Sequence, residues 1–138
     1  MQTIIEQNKA IVTRFNRECI EDGNLNSFNE LLAHDVVNHA APAGTPAGPA
    51  SMIYFIMEVL RKGFPHIHVE ILDQVAENDK VTTRKILHAT HAGEFMGIPA
   101  TNKKVAIKVI DIIRLKDGKY AEHWGLSNLP DVITEISN

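Results

Sequence analysis

Val105-Ala106-Ile107-Lys108-Val109-Ile110-Asp111-Ile112-Ile113-Arg114-Leu115, the turn Lys116-Asp117-Gly118, and Lys119-Tyr120-Ala121-Glu122-His123-Trp124-Gly125 form one uninterrupted stretch. Its first part sets apolar residues at every second position, and Asp-Gly follows, which is the grammar of a β-hairpin. One carboxylate, Asp111, falls into the stripe of Val105, Ile107, Val109 and Ile113. If that face is buried, Asp111 loses water and must find a partner or hold a proton near neutrality. His123, on the return strand, is the candidate partner.

Two turns fit the hairpin. A two-residue Asp117-Gly118 loop pairs Lys116 with Lys119 and sets Asp111 opposite Trp124. A three-residue loop with Gly118 as the left-handed residue of a bulge pairs Leu115 with Lys119 and sets Asp111 opposite His123. The second sorts the faces better. It places Asp111, His123 and Gly125 on the apolar side, and Ile110 against Trp124 and Arg114 against Tyr120 on the other. The three-residue loop is therefore the expected register.

Upstream, Ile4, Ile5, Ile11, Phe15, Cys19 and Ile20 recur at helical spacing from Thr3 to Glu21, and Asp22-Gly23-Asn24 stops the helix. A short helix from Leu25 to Leu32 follows, with Asn24 as N-cap. Val36 to His39 reads as a strand, and Ala40 to Gly48 as a proline- and glycine-rich loop. A helix then runs from Pro49 to Gly63. His66 to Glu77, Lys80 to Phe95 and the hairpin make a four-stranded antiparallel meander, and Leu129 to Ile136 a closing helix. Helices first and a twisted meander after them predict one α+β domain over residues 1–138. In it a curved sheet wraps a long helix into a cone with one open end, a natural site for a hydrophobic small molecule.

Composition excludes several function classes. A net charge of −3 with scattered lysines and arginines offers no basic stripe, so no nucleic acid is expected. The single cysteine, Cys19, rules out an internal disulfide and fits a reducing compartment. The N-terminus lacks a signal-peptide pattern and no apolar run is long enough to span a bilayer, so a cytoplasmic protein without membrane contact is expected. His66 and His68 share a strand face with Glu70, a spacing only weakly diagnostic of a metal, and a half-exposed sheet face is the expected role. His88 points either into the cone or across the outer sheet. Tyr54, Phe55 and Phe64 are candidates to line a ligand cavity. An outer face carrying Ile110, Ile112, Tyr120 and Trp124 is more apolar than water should see, which predicts a homodimer through it.

His91-Ala92-Gly93-Glu94-Phe95-Met96-Gly97-Ile98-Pro99-Ala100-Thr101 resembles the His-x-Gly-x-Phe-x-Gly-Ile-Pro-x-Thr signature of the SnoaL-like polyketide cyclases and predicted ester cyclases. Asp117-Gly118-Lys119 before Glu122-His123-Trp124 strengthens the match. So do Phe15-Asn16 in the opening helix and Asp35 to Asn38 in the first strand. The resemblance implies the nuclear transport factor 2-like cone fold, usually dimeric. It also implies a cofactor-free mechanism in which a pocket aspartate is general acid/base for an intramolecular aldol closure of a polyketide ester. Asn38 and His123 match the family's polar pocket residues, and His91 its signature histidine.

In the antibiotic-pathway cyclases the catalytic aspartate lies two residues beyond the histidine matching His123, where this chain has Gly125. Their preceding strand offers glutamine and histidine where this chain has Val109 and Asp111. The resemblance thus leaves the carboxylate either relocated to Asp111 or absent. If relocated, Asp111 and His123 are the catalytic pair, acting on a hydrophobic carbonyl compound by aldol closure, enolisation or isomerisation. Asn38, His91, His88, Val109, Tyr54, Phe55 and Phe64 are then the candidates for contact with substrate. If absent, the same cone is a binding protein without chemistry, or a scaffold.

Overall fold

The protein is described by a computed structural model covering residues 2–138, so that Met1 of the expected domain lies outside the described residues. Helix α1 (Ile4–Phe15) starts at Thr3, whose hydroxyl accepts the Glu6 N–H, and buries Val12 and Phe15. Helical spacing predicts one continuous helix to Glu21, but at Asn16 the helix widens into a π turn, Asn16–Glu21. Within it the Asn16 side-chain N–H donates to the Val12 carbonyl. Helix α2 (Leu25–Leu31) is capped by Asn24, which accepts the N–H groups of Asn26 and Ser27. Helix α3 (Pro49–Tyr54) likewise widens into a π turn, Phe55–Leu60, before α4 (Arg61–Gly63). Such insertions re-aim the side chains that follow them.

The sheet holds β1 (Leu32–Asn38), β2 (Ile67–Glu77), β3 (Lys80–Thr90), β4 (Lys104–Lys116) and β5 (Lys119–Ser127) in the order β1-β5-β4-β3-β2. The antiparallel meander is present, and β1 joins it parallel to β5, which makes the sheet mixed. Helix α1 packs on β2 and β3, α3 on β1, and α5 (Leu129–Ser137) on β4. The helices therefore cover one face of the sheet, the α+β arrangement that the order of elements predicts. Val12, Phe28, Phe64, Val69, Val81 and Ile113 fill the interior between them. Among the described residues no helix is long and apolar enough to cross a membrane.

The hairpin has the two-residue turn rather than the expected three-residue loop, and its rungs beyond the turn depart from both sequence readings. Lys116 pairs with Lys119 across a two-residue turn whose Asp117 and Gly118 both take positive φ, 52° and 75°. Leu115 then pairs with Tyr120 but Arg114 with Glu122, so Ala121 is an extra residue, a β-bulge. Tyr120 and Glu122 have the same parity, yet Tyr120 must turn inward to stack on Phe15 at 4.4 Å while Glu122 turns outward to Arg114. Only an inserted residue satisfies both. Beyond the bulge, His123 and Gly125 share the inner side with Asp111, as the face pattern predicts. The rungs are different: Asp111 faces Gly125, Ile113 faces His123, Ile112 faces Trp124 and Ile110 faces Leu126.

Candidate active site

One rung of the sheet runs Gln74, Thr83, Asp111, Gly125 from β2 to β5, with no apolar side chain on it. Alternation turns Asp111 inward between Val109 and Ile113, where it is 5 % exposed. The partner it finds is not His123. Lys85 on β3, also in an inward stripe and 4 % exposed, brings its Nζ to 2.9 Å from Asp111 Oδ2. His123 Nε2 lies 4.0 Å from the same oxygen, within reach of its charge but beyond a hydrogen bond. The other oxygen, Asp111 Oδ1, is buried without a protein hydrogen-bond partner.

The direction of each hydrogen bond here follows from its chemistry. Asn16 Nδ2 donates to the Val12 carbonyl, so Oδ1 is the atom turned to Lys85 Nζ, 2.6 Å away. Two of the three ammonium donors of Lys85 are thus engaged, one by a carboxylate and one by an amide oxygen. On the opposite side Asn38 Oδ1 accepts the Ala40 backbone N–H at 3.1 Å, which identifies it as oxygen. His123 Nδ1, 2.7 Å from that oxygen, must therefore carry a proton and donate it. In the neutral ring, the lone pair is then on Nε2, the atom nearest Asp111. The His123 carbonyl also accepts the His39 N–H at 2.8 Å, so β1 holds the residue at both ring and backbone.

Burial pulls the His123 pKa below the ordinary histidine value, with Lys85 and His39 adding to the effect and Asp111 opposing it. The imidazole is accordingly neutral near pH 7, a free base beside an ion pair. Tyr120 is buried next to this centre, and burial followed by the Asp111 charge holds its hydroxyl well above the ordinary range. Gly125 keeps the space over His123 open, since a Cβ there would lie 3.2 Å from Nε2 and 3.5 Å from the Asp111 Cβ.

The remaining sequence candidates scatter. Asn38 binds His123 itself. Val109 is half-buried in the inner stripe. His88 faces outward, where it pairs with Glu70 at 2.8 Å and stacks near His68. It lines an open cavity of about 740 Å³ with Arg61, His66, His68 and Lys104, away from Asp111. A second cavity of about 730 Å³ lies by Leu32, Val37, Arg114 and Glu122. His91 is fully buried, with Nδ1 accepting from the Thr101 N–H at 3.3 Å and lying 2.9 Å from the Thr101 hydroxyl oxygen. It anchors the loop that the signature describes, with Phe64 and Phe95 packed beside it. Phe64 is thus core, whereas Tyr54 is 63 % exposed and Phe55 is also at the surface. Tyr120 belongs inside rather than on the outer face, leaving Ile110, Ile112, Trp124 and the 84 % exposed Leu126 there. Sequence reasoning missed Lys85 and Asn16. The signal for Lys85 was present, because Val81-Thr82-Thr83-Arg84-Lys85-Ile86-Leu87 sets it in an inward stripe just as Asp111 is set in its own.

Residues 10–136 match the profile of the SnoaL family, the SnoaL-like polyketide cyclases. Aklanonic acid methyl ester cyclase DauD of Streptomyces sp. (strain C5) is 24 % identical over 108 residues, 77 % of this chain and 67 % of its own. A structure from Jannaschia sp. CCS1 assigned as a SnoaL-like polyketide cyclase superposes with a TM-score of 0.85 at 27 % identity, covering 99 % of this chain and 96 % of that one. AclR of Streptomyces galilaeus, assigned as a hydroxylase, superposes with a TM-score of 0.83 at 26 % identity over 96 % of this chain and 82 % of its own.

Proposed function

The chain belongs to the SnoaL-like polyketide cyclase family, and on that premise we propose that it is a cofactor-independent acid/base enzyme acting on a hydrophobic carbonyl compound of the polyketide ester kind. The observation that carries this reading is the orientation of His123: its Nδ1–H is taken by Asn38, and its Nε2 lone pair stands 4.0 Å from a buried carboxylate. In the reaction, His123 Nε2 removes an acidic proton from the carbon beside a carbonyl, leaving an enolate. The resulting imidazolium is stabilised by Asp111. The enolate carbon attacks a second carbonyl of the same molecule, and the new alkoxide takes the proton back from Nε2. Atoms and charge balance without a cofactor. One well-placed acid/base group of this kind contributes roughly a hundred- to ten-thousand-fold in rate.

The test uses aklanonic acid methyl ester, the compound in the name of the DauD relative, and related aromatic polyketide esters. Cyclised product from the wild type and its loss in His123→Ala support the reading. Turnover that survives His123→Ala removes it. A second reading, binding without chemistry, is favoured by the Lys85–Asp111 pair, in which the Asp111 charge is already countered without a substrate. Saturable binding of these esters with no product establishes that reading instead. The protein is further proposed to be cytoplasmic. A second copy is proposed to cover the outer face around Ile110, Ile112 and Trp124, which a sedimentation measurement of mass checks.

A further inference from the structure

We propose that Lys85, aimed by Asn16, is the positioning residue that sets the proton inventory of the site, compensating the Asp111 carboxylate so that His123 stays a free base. The geometry is a chain with fixed polarity. The Val12 carbonyl accepts from Asn16 Nδ2, Asn16 Oδ1 accepts from Lys85 Nζ at 2.6 Å, and Asp111 Oδ2 accepts from the same ammonium at 2.9 Å. Asn16 can accept from Lys85 because its amide nitrogen is already committed to the Val12 carbonyl, which turns its oxygen to the ammonium. The pair is net neutral. Without the ammonium, a carboxylate and an imidazole 4.0 Å apart in a buried space are a site for one shared proton. With it, the carboxylate's charge is already compensated, and the field at the imidazole is that of a pair rather than of a bare anion.

The groups facing this centre come from four strands and one helix: Lys85 from β3, Asp111 from β4, Tyr120 from β5, Asn38 and the adjoining His39 from the end of β1, and Asn16 from the turn after α1. Of these Lys85 alone is a lysine or arginine, the cationic partner of the buried pair. Burial and Lys85 act on His123 in the same direction, opposite to Asp111. The two members of the ion pair should therefore move the histidine oppositely when each is removed, which a purely structural role for Lys85 does not require.

The inference rests on Asp111 and His123 as the reacting centre, but its measurement needs no turnover. The ¹⁵N resonances of His123 and the ¹³C carboxyl resonance of Asp111 are followed against pH in the full-length protein. In Lys85→Met the Asp111–His123 pair should hold its proton to higher pH than in the wild type, seen as a shift of the His123 titration toward base. In Asp111→Asn the His123 titration should move further to acid. Lys85→Arg should retain the wild-type pattern if its longer side chain is accommodated. Should Lys85→Met not fold, Lys85→Gln, which keeps a polar side chain and drops the charge, takes its place. An unchanged His123 titration in the charge-removing Lys85 variant that folds overturns the proposal. Shifted titrations in a protein that turns over none of the esters uphold Lys85 and refute the cyclase reading separately.

Discussion

Asp111 and Gly125 face each other on one rung of β4 and β5, so the inward carboxylate stands opposite a residue with no side chain. The sequence resemblance leaves the site's carboxylate either moved or lost. The rung supports a move: the distance from position 125 to position 111 is that of a cross-strand neighbour, about 5 Å between Cα atoms. The open space above Gly125 lets His123 reach over toward Asp111.

Gly125→Ala should therefore disturb the site more than its size suggests. Its Cβ would meet His123 Nε2 at 3.2 Å and Cε1 at 3.3 Å, pushing the ring away from Asn38 or Asp111. The expected cost is about 1–2 kcal/mol in a denaturant titration, with a changed His123 ¹⁵N spectrum. A variant with wild-type stability and spectrum shows that the ring has room to spare.

Breaking the buried pair should be expensive and repairing it cheap. Lys85→Met or Asp111→Leu alone should each cost about 3–5 kcal/mol, because each leaves an uncompensated buried charge. The double variant should recover most of the loss. Additive losses across the cycle would mean that the two charges do not depend on each other in the folded protein.

The sign of the pH dependence follows from the direction of the His123 shift. The folded protein holds this ring below the ordinary value of 6.5, so the unfolded chain binds the proton more readily. The stabilisation from a neutral buried His123 is complete above about pH 6.5 and is lost as pH falls through the folded value. Thermal melts from pH 7.5 downward should show this loss, and His123→Gln should flatten it. In kinetics, the acid limb of kcat/KM should lie below pH 6.5 for the same reason.

Cys19 should be unreactive until the protein unfolds. It is fully buried, and burial pushes its thiol up to about 12, so thiolate is scarce at neutral pH. A thiol reagent should label it at the rate of global unfolding, as followed by added denaturant. Rapid labelling of the native protein would show that α1 opens locally.

Most of the architecture was legible because it is encoded locally. Asn24 capping α2, Pro49 opening α3, and the alternation of Val105 to Leu115 each act over a few residues, and each element appears where those signals place it. The π turns were not legible, since helical spacing shows a continuous apolar stripe through Phe15, Cys19 and Ile20 either way. The mixed sheet was missed for a different reason. Val36 and Val37 announce a strand, but its neighbour β5 lies more than eighty residues on, and only the folded chain brings Asn38 beside His123.

The site shows where the two kinds of information part. Alternation alone determined that Asp111 and His123 face inward, because a strand's side chains repeat every two residues whatever lies across from them. It did not determine what each one meets. The rung was decided by Ala121, whose insertion lets Tyr120 stack on Phe15 and Glu122 reach Arg114, and that choice needs the helix and the outer face in place at once. The partner was decided by β3 and the π turn, which deliver Lys85 and Asn16 to a carboxylate remote from both in the chain. A buried charge accepts whichever opposite charge the packing brings within contact, and packing is a property of the whole domain.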